Sequence, residues 1–140
     1  MHIDAHQHFW RYNTDEFGWI DDSMRAIQRD FLPDDLTPEL ARNDVQRSIT
    51  VQTRQTLEET RWLLELADHS PSILGVVGWV DFCSPNVRSQ LKQFVKNPKF
   101  VGVRHIVRRV LSDGHVITRC DGASRRARDR GRSLLGVRSS

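Results

Sequence analysis

The sequence predicts an α/β chain built on a parallel sheet of about four strands, and three observations carry that expectation. Short β-branched or apolar runs recur at 2–8, 48–52, 73–80 and 100–105. Stretches with apolar residues at helical spacing separate them. The two later runs, "ILGVVGWV" and "FVGVRH", are almost continuously apolar, as strands covered on both faces are. Strands alternating with helices favour right-handed βαβ units over hairpins. Four such strands fit the first half of a (β/α) barrel. They also fit a small open sheet, although no glycine-rich phosphate loop follows any of them.

Each element has its own justification. Residues 2–8, "HIDAHQH", alternate in the manner of a strand. Residues 9–37 are rich in Asp and aromatic residues and read as a long loop, a length usually reserved for functional segments. "LTPELARND" reads as a short helix capped by Thr37 with Pro38 in its first turn. "SITVQ" at 48–52 is a strand. Thr56 and Glu59 form a capping box that opens a helix whose apolar face is Leu57, Leu63, Leu64 and Ala67. After the strand at 73–80, Ser84-Pro85 starts a further helix, with Val87, Leu91, Phe94 and Val95 at i, i+4, i+7 and i+8. Asn97-Pro98 stops it before the last strand.

A chain of 140 residues suits one domain and is short for a closed eight-stranded barrel, which needs at least ~200. No apolar run approaches the ~20 residues of a membrane span, and the first residues lack a signal-peptide pattern. A cytoplasmic protein with Cys83 and Cys120 as reduced thiols is therefore expected. The charge is divided unevenly. Residues 1–107 carry 12 Lys and Arg against 15 Asp and Glu, whereas 108–140 carry 9 Arg against 3 Asp. The latter segment also lacks Phe, Trp, Tyr, Lys and Glu entirely. Residues 1–107 thus read as the folded domain, and 108–140 as a poorly ordered Arg-rich tail without defensible periodicity.

Side chains at i and i+2 of a strand share a face, so Asp4, His6 and His8 are expected to line one side of the first strand. Two imidazoles at that spacing can ligate one divalent metal, with Asp4 orienting a histidine from behind. An isolated H-x-H is weak by itself. It gains weight because the other strands also end in polar groups. These are Gln52 and Arg54 after the second, Trp79 and Asp81 after the third, and Arg104 and His105 after the fourth. Parallel barrels gather their active sites at these carboxyl ends, where a guanidinium can hold a carboxylate or polarise a carbonyl.

Taken together, "IDAHQHFW", "FGWIDD", "DFLPDDLTPEL", "VQTRQTLEETRWLLELAD", "GVVGWVDFCSP" and "FVGVRHIV" resemble the amidohydrolase-related hydrolases, and among them the sugar-lactone hydrolases. The likeness covers residues 1–107 and implies the N-terminal half of a distorted (β/α)₈ barrel, about four β/α units. It implies hydrolysis of a sugar lactone, a cyclic ester, to the hydroxy acid. By resemblance, His6, His8 and His105 are catalytic, with His6 and His8 holding a divalent metal, zinc by ligand type. Arg54, Trp79 and Arg104 then line the substrate pocket.

The chain also departs from that family. A later "DH" followed by "KP", and an acidic residue near the last strand, are expected and absent. A one-base shift of "GVRSS" can read Ala-Phe-Asp-Leu, which resembles the family's fifth strand. Residues 108–140 are accordingly expected to be out-of-frame translation, leaving a truncated chain that is inactive alone and open to self-association through its barrel edges. The competing readings are a non-catalytic fragment and a nucleic-acid-binding module working through the basic tail. Clustered Arg gives salt-sensitive phosphate affinity, but the tail has no aromatic residue for base stacking, which disfavours nucleic acid.

Overall fold

The computed structural model describes residues 1–106, so the tail and the boundary at Val107 lie outside the described residues. Four strands form one sheet in the order β1-β2-β3-β4. They are β1 Ile3–Gln7, β2 Arg47–Val51, β3 Ile73–Gly78 and β4 Phe100–Val103. Every pair is parallel, and each successive strand joins its predecessor's free side, as consecutive βα units require. Helices α1 Pro33–Arg42, α2 Leu57–His69 and α3 Val87–Phe94 supply the crossovers.

The register slips by one residue in each pair: between Asp4 and Gln7, between Ser48 and Ile49, and between Val76 and Val77. Extra residues of this kind bend a strand and re-aim its side chains. The slip in β1 falls on Ala5 and His6, so strict alternation does not govern this strand.

The core lies between α2, α3 and the sheet. Leu63, Ala67, Ile73, Val76 and Val80 are fully buried there, with Leu64, Phe9 and Phe94 completing the cluster. Each Leu, Ile or Val side chain so removed from water contributes about 1.5–3 kcal/mol. Val95, expected on the apolar face of α3, is instead exposed at the C-cap of that helix.

α1 begins at Pro33 rather than near Thr37. Asp35 accepts the Leu32 N–H at 2.9 Å, so an aspartate three residues on does the capping that Thr37 was expected to do. Thr37 donates to the Pro33 carbonyl at 2.8 Å, and Pro38 sits inside the helix. The preceding loop is not featureless. Trp10 and Phe31 exchange two backbone hydrogen bonds, at 3.1 and 3.0 Å, tying the segment 11–30 at its base. A short 3-10 helix, Asp22–Ile27, lies within it, and Phe17 and Ile20 of the same segment are buried. Cys120, one of the two expected reduced thiols, lies outside the described residues.

Candidate active site

β1 delivers His6 and His8 to the carboxyl end of the sheet, where their Nε2 atoms lie 3.3 Å apart with the rings edge to face. His8 Nδ1 donates to the Val51 carbonyl at 2.7 Å, since a carbonyl only accepts. Its proton is thereby fixed on Nδ1 and Nε2 keeps a lone pair. Arg104 Nη1 lies 3.3 Å from His6 Nε2, and because a guanidinium only donates, that nitrogen also presents a lone pair. The single lone pair of His6 Nε2 is taken up by Arg104 in this arrangement, so a cation shared with His8 Nε2 would have to displace that contact. The 3.3 Å separation matches the about 3.3 Å expected for two nitrogens each ~2.05 Å from a tetrahedral ion.

Burial pushes the His8 pKa below its ordinary value of 6.5. The Val51 carbonyl opposes that shift, and the charges of Arg104 and His6 reinforce it. His8 is therefore held neutral, the form that ligates. Asp4 does not orient either ring as expected. Its carboxylate accepts the His6 backbone N–H at 3.1 Å, a local turn of the bulged strand. Among the described residues no group of three or more His, Cys, Asp or Glu surrounds a common point.

Arg104 is itself firmly placed. Gln52 is wholly buried and accepts from Arg104 Nε at 3.1 Å and from Nη2 at 2.7 Å through its side-chain oxygen. Its backbone carbonyl accepts a further bond from Nη2 at 2.7 Å. The guanidinium is thus locked by neutral acceptors, and no carboxylate among the described residues pairs with it.

Trp79 and His105 form a second grouping. Trp79 Nε1 donates to His105 Nδ1 at 3.1 Å with the rings stacked 6.2 Å apart. An indole N–H only donates, so neutral His105 carries its proton on Nε2, available to an acceptor. Phe82 meets the same imidazole edge-on. Asp81, the remaining polar end of β3, caps its own loop by accepting the Cys83 N–H at 3.0 Å.

Arg54 belongs to a third grouping. Its guanidinium bonds Glu16 from the long loop, and its Nε lies 3.5 Å from Glu59. The buried Glu59 also accepts from the Thr53 N–H at 2.8 Å, the Thr53 hydroxyl at 2.6 Å and the Arg54 N–H. The Thr56–Glu59 capping pair is only half formed as expected. Thr56 accepts the Glu59 N–H at 3.2 Å, while the Glu59 carboxylate reaches past the cap to the β2–α2 loop. Sequence reasoning missed Glu16 and this second role of Glu59. The one available signal was the run of acidic residues in an unusually long loop. A cavity of about 490 Å³ joins the first and third groupings, with His8, Arg54, Arg104, Glu16, Trp10 and Phe17 in its wall.

This strand-end placement agrees with what the chain resembles in sequence and fold. The amidohydrolase family model matches residues 3–117. The chain belongs to the amidohydrolase family. It is 41% identical over 111 residues to an L-fucono-1,5-lactonase of Burkholderia ambifaria, covering 79% of this chain and 38% of that protein. A second L-fucono-1,5-lactonase, from Burkholderia multivorans, is 40% identical over 105 residues, covering 75% and 35%. A crystal structure of a Burkholderia multivorans amidohydrolase with bound zinc superposes with a TM-score of 0.71 at 40% identity, covering 75% of this chain and 37% of that one. The chain thus spans little more than a third of the length of these amidohydrolases. Its four parallel strands and crossover helices are the corresponding part of the amidohydrolase barrel.

Proposed function

We propose that this chain supplies the strand-one to strand-four part of a lactonase centre that opens a sugar lactone to its hydroxy acid. The observation that carries the reading is the convergence of His6, His8 and Arg104 at the strand ends, in a chain about 40% identical to L-fucono-1,5-lactonases. Water adds to the lactone carbonyl, the acyl C–O bond of the ring breaks, and the departing ring oxygen takes a proton. Arg104, rigidly held by Gln52, is placed to face the oxygen on which negative charge develops, where a fixed donor counts most. His105 offers an Nε2–H as hydrogen-bond donor, and Trp79 positions it. Trp79 and Phe82 present aromatic faces suited to the apolar side of a sugar ring.

His6 and His8 are the residues that would hold a divalent metal, zinc by ligand type, and such an ion supplies Lewis acidity and an activated water when bound. Two imidazoles leave a four-coordinate site half filled. On this reading, these 140 residues assayed alone turn lactone over far more slowly than a full-length relative. Association through the outer edges of β1 and β4 belongs to the same proposal, since neither edge has a neighbour among the described residues and unpaired edges invite one. Carbohydrate metabolism and a cytoplasmic setting likewise rest on the lactonase likeness. No helix among the described residues is long and apolar enough to cross a membrane.

A chimera tests the function directly. Residues 1–106 replace the matching segment of the Burkholderia multivorans amidohydrolase, and hydrolysis of L-fucono-1,5-lactone is followed by acid release. The expected result is measurable turnover that falls at least about 100-fold on His6→Ala or His8→Ala. A folded chimera that hydrolyses no lactone, or one indifferent to both histidines, overturns the proposal.

A further inference from the structure

The Glu16–Arg54 pair is not explained by the fold alone. Both residues line the 490 Å³ cavity beside His8 and Arg104, and both line a second cavity of about 260 Å³ that shares part of its wall. Their side chains are 40% and 29% exposed, so the pair faces solvent and ligand rather than the core. Glu16 is held for this contact. Asn13 donates to its Oε2 at 2.8 Å, and Asn13 Oδ1 accepts its backbone N–H at 2.9 Å. The segment bearing both residues is tied at its base by the Trp10–Phe31 bridge and by Asp30 accepting the Tyr12 N–H at 2.8 Å. It is anchored by the buried Phe17 and Ile20. Asn13 and Arg54 both hold the Glu16 carboxyl below its usual pKa, so it is ionised at neutral pH. On the other side, Arg54 Nε lies against Glu59.

The two cationic side chains of the large cavity are therefore unlike. Arg104 is held by neutral acceptors, whereas Arg54 is neutralised by a preorganised carboxylate. A ligand carboxylate approaching Arg54 must displace Glu16 or lie beside it, and like charges that close repel. An uncharged ligand meets no such penalty. We propose that Glu16 is a specificity-determining residue that occupies the Arg54 guanidinium in the cavity wall and so biases the site toward uncharged ligands over carboxylates. Ester hydrolysis converts a neutral ring into a carboxylate, so the pair would favour release of product over its retention. That consequence rests on the lactonase reading; the charge discrimination itself does not.

The test is equilibrium binding to the full 140-residue chain, followed by calorimetry, with gluconate as the carboxylate probe and glucitol as a neutral polyol of the same length. Glu16→Gln keeps the shape and the Asn13 contact and removes the charge. It is expected to tighten gluconate about fivefold at low salt, the scale of one partly exposed ion pair. Glucitol affinity should stay within about twofold. Adding Arg54→Gln to Glu16→Gln should abolish the gain. The proposal fails if Glu16→Gln leaves gluconate binding unchanged or undetectable, if both probes tighten equally, or if the gain survives loss of Arg54. The titration requires no turnover. A chimera that hydrolyses no lactone would therefore leave it standing, and a failed titration would leave the lactonase reading intact.

Discussion

At the scale of the residue, Glu59 shows how one side chain does two tasks. It occupies the third position of α2, where its backbone N–H is capped by Thr56, and its buried carboxylate gathers three donors of the β2–α2 loop. Those bonds hold the backbone from which Arg54 reaches the cavity. Removing the carboxylate leaves buried N–H groups without acceptors, a larger loss than the mean value of a hydrogen bond. Glu59→Ala is expected to lower unfolding stability by about 3 kcal/mol, read as a shift of the urea midpoint. Glu59→Gln, which keeps one acceptor oxygen, should cost less. Equal, small effects of the two substitutions would show that the loop is held by something else. The capping pair was legible in the sequence, because it depends on local spacing. The bonds to Thr53 and Arg54 were not, because they depend on how the chain turns after β2.

At the scale of the element, α2 docks on β3 through a notch rather than a flat contact. Thr60 is fully buried, and its hydroxyl bonds both the Trp79 N–H at 2.8 Å and the Trp79 carbonyl at 2.9 Å. A Cβ on Gly78 would lie 2.5 Å from the Thr60 methyl and 2.9 Å from its hydroxyl. The close approach of helix and strand therefore requires glycine at 78, and it also sets where Trp79 leaves the strand to meet His105. Gly78→Ala is expected to destabilise the chain by about 2 kcal/mol through overpacking. Adding Thr60→Ser, which removes the methyl and keeps the hydroxyl, should recover part of that loss. No recovery would mean the strain lies in the backbone of β3. Strand and helix types were readable here from apolar runs and 3.6-residue spacing, which are local properties. The start of α1 was misplaced because Asp35 reaches back to Leu32, and Thr37-Pro38 offered an equally plausible cap further along.

At the scale of the whole molecule, sequence order and spatial order coincide, so each strand end adds its polar residues next to the previous one. That is why the strand-end residues named from the sequence lie near one another at one end of the sheet. The sequence did not show their grouping. His6, His8 and Arg104 converge, Trp79 pairs with His105, and Arg54 is drawn to Glu16 and Glu59. The bulge in β1 and the folding back of the 11–30 segment decide these groupings, and neither leaves a periodic trace. The central claim is that β1 presents two convergent imidazoles as half of a metal centre. Titration of the chain with Co²⁺ as a spectroscopic stand-in for zinc, near neutral pH, tests it most directly. The account predicts one ion per chain, bound weakly because two ligands are present, and lost in both His6→Ala and His8→Ala. Binding that survives the loss of both histidines, or no binding by the unaltered chain at millimolar metal, would contradict it.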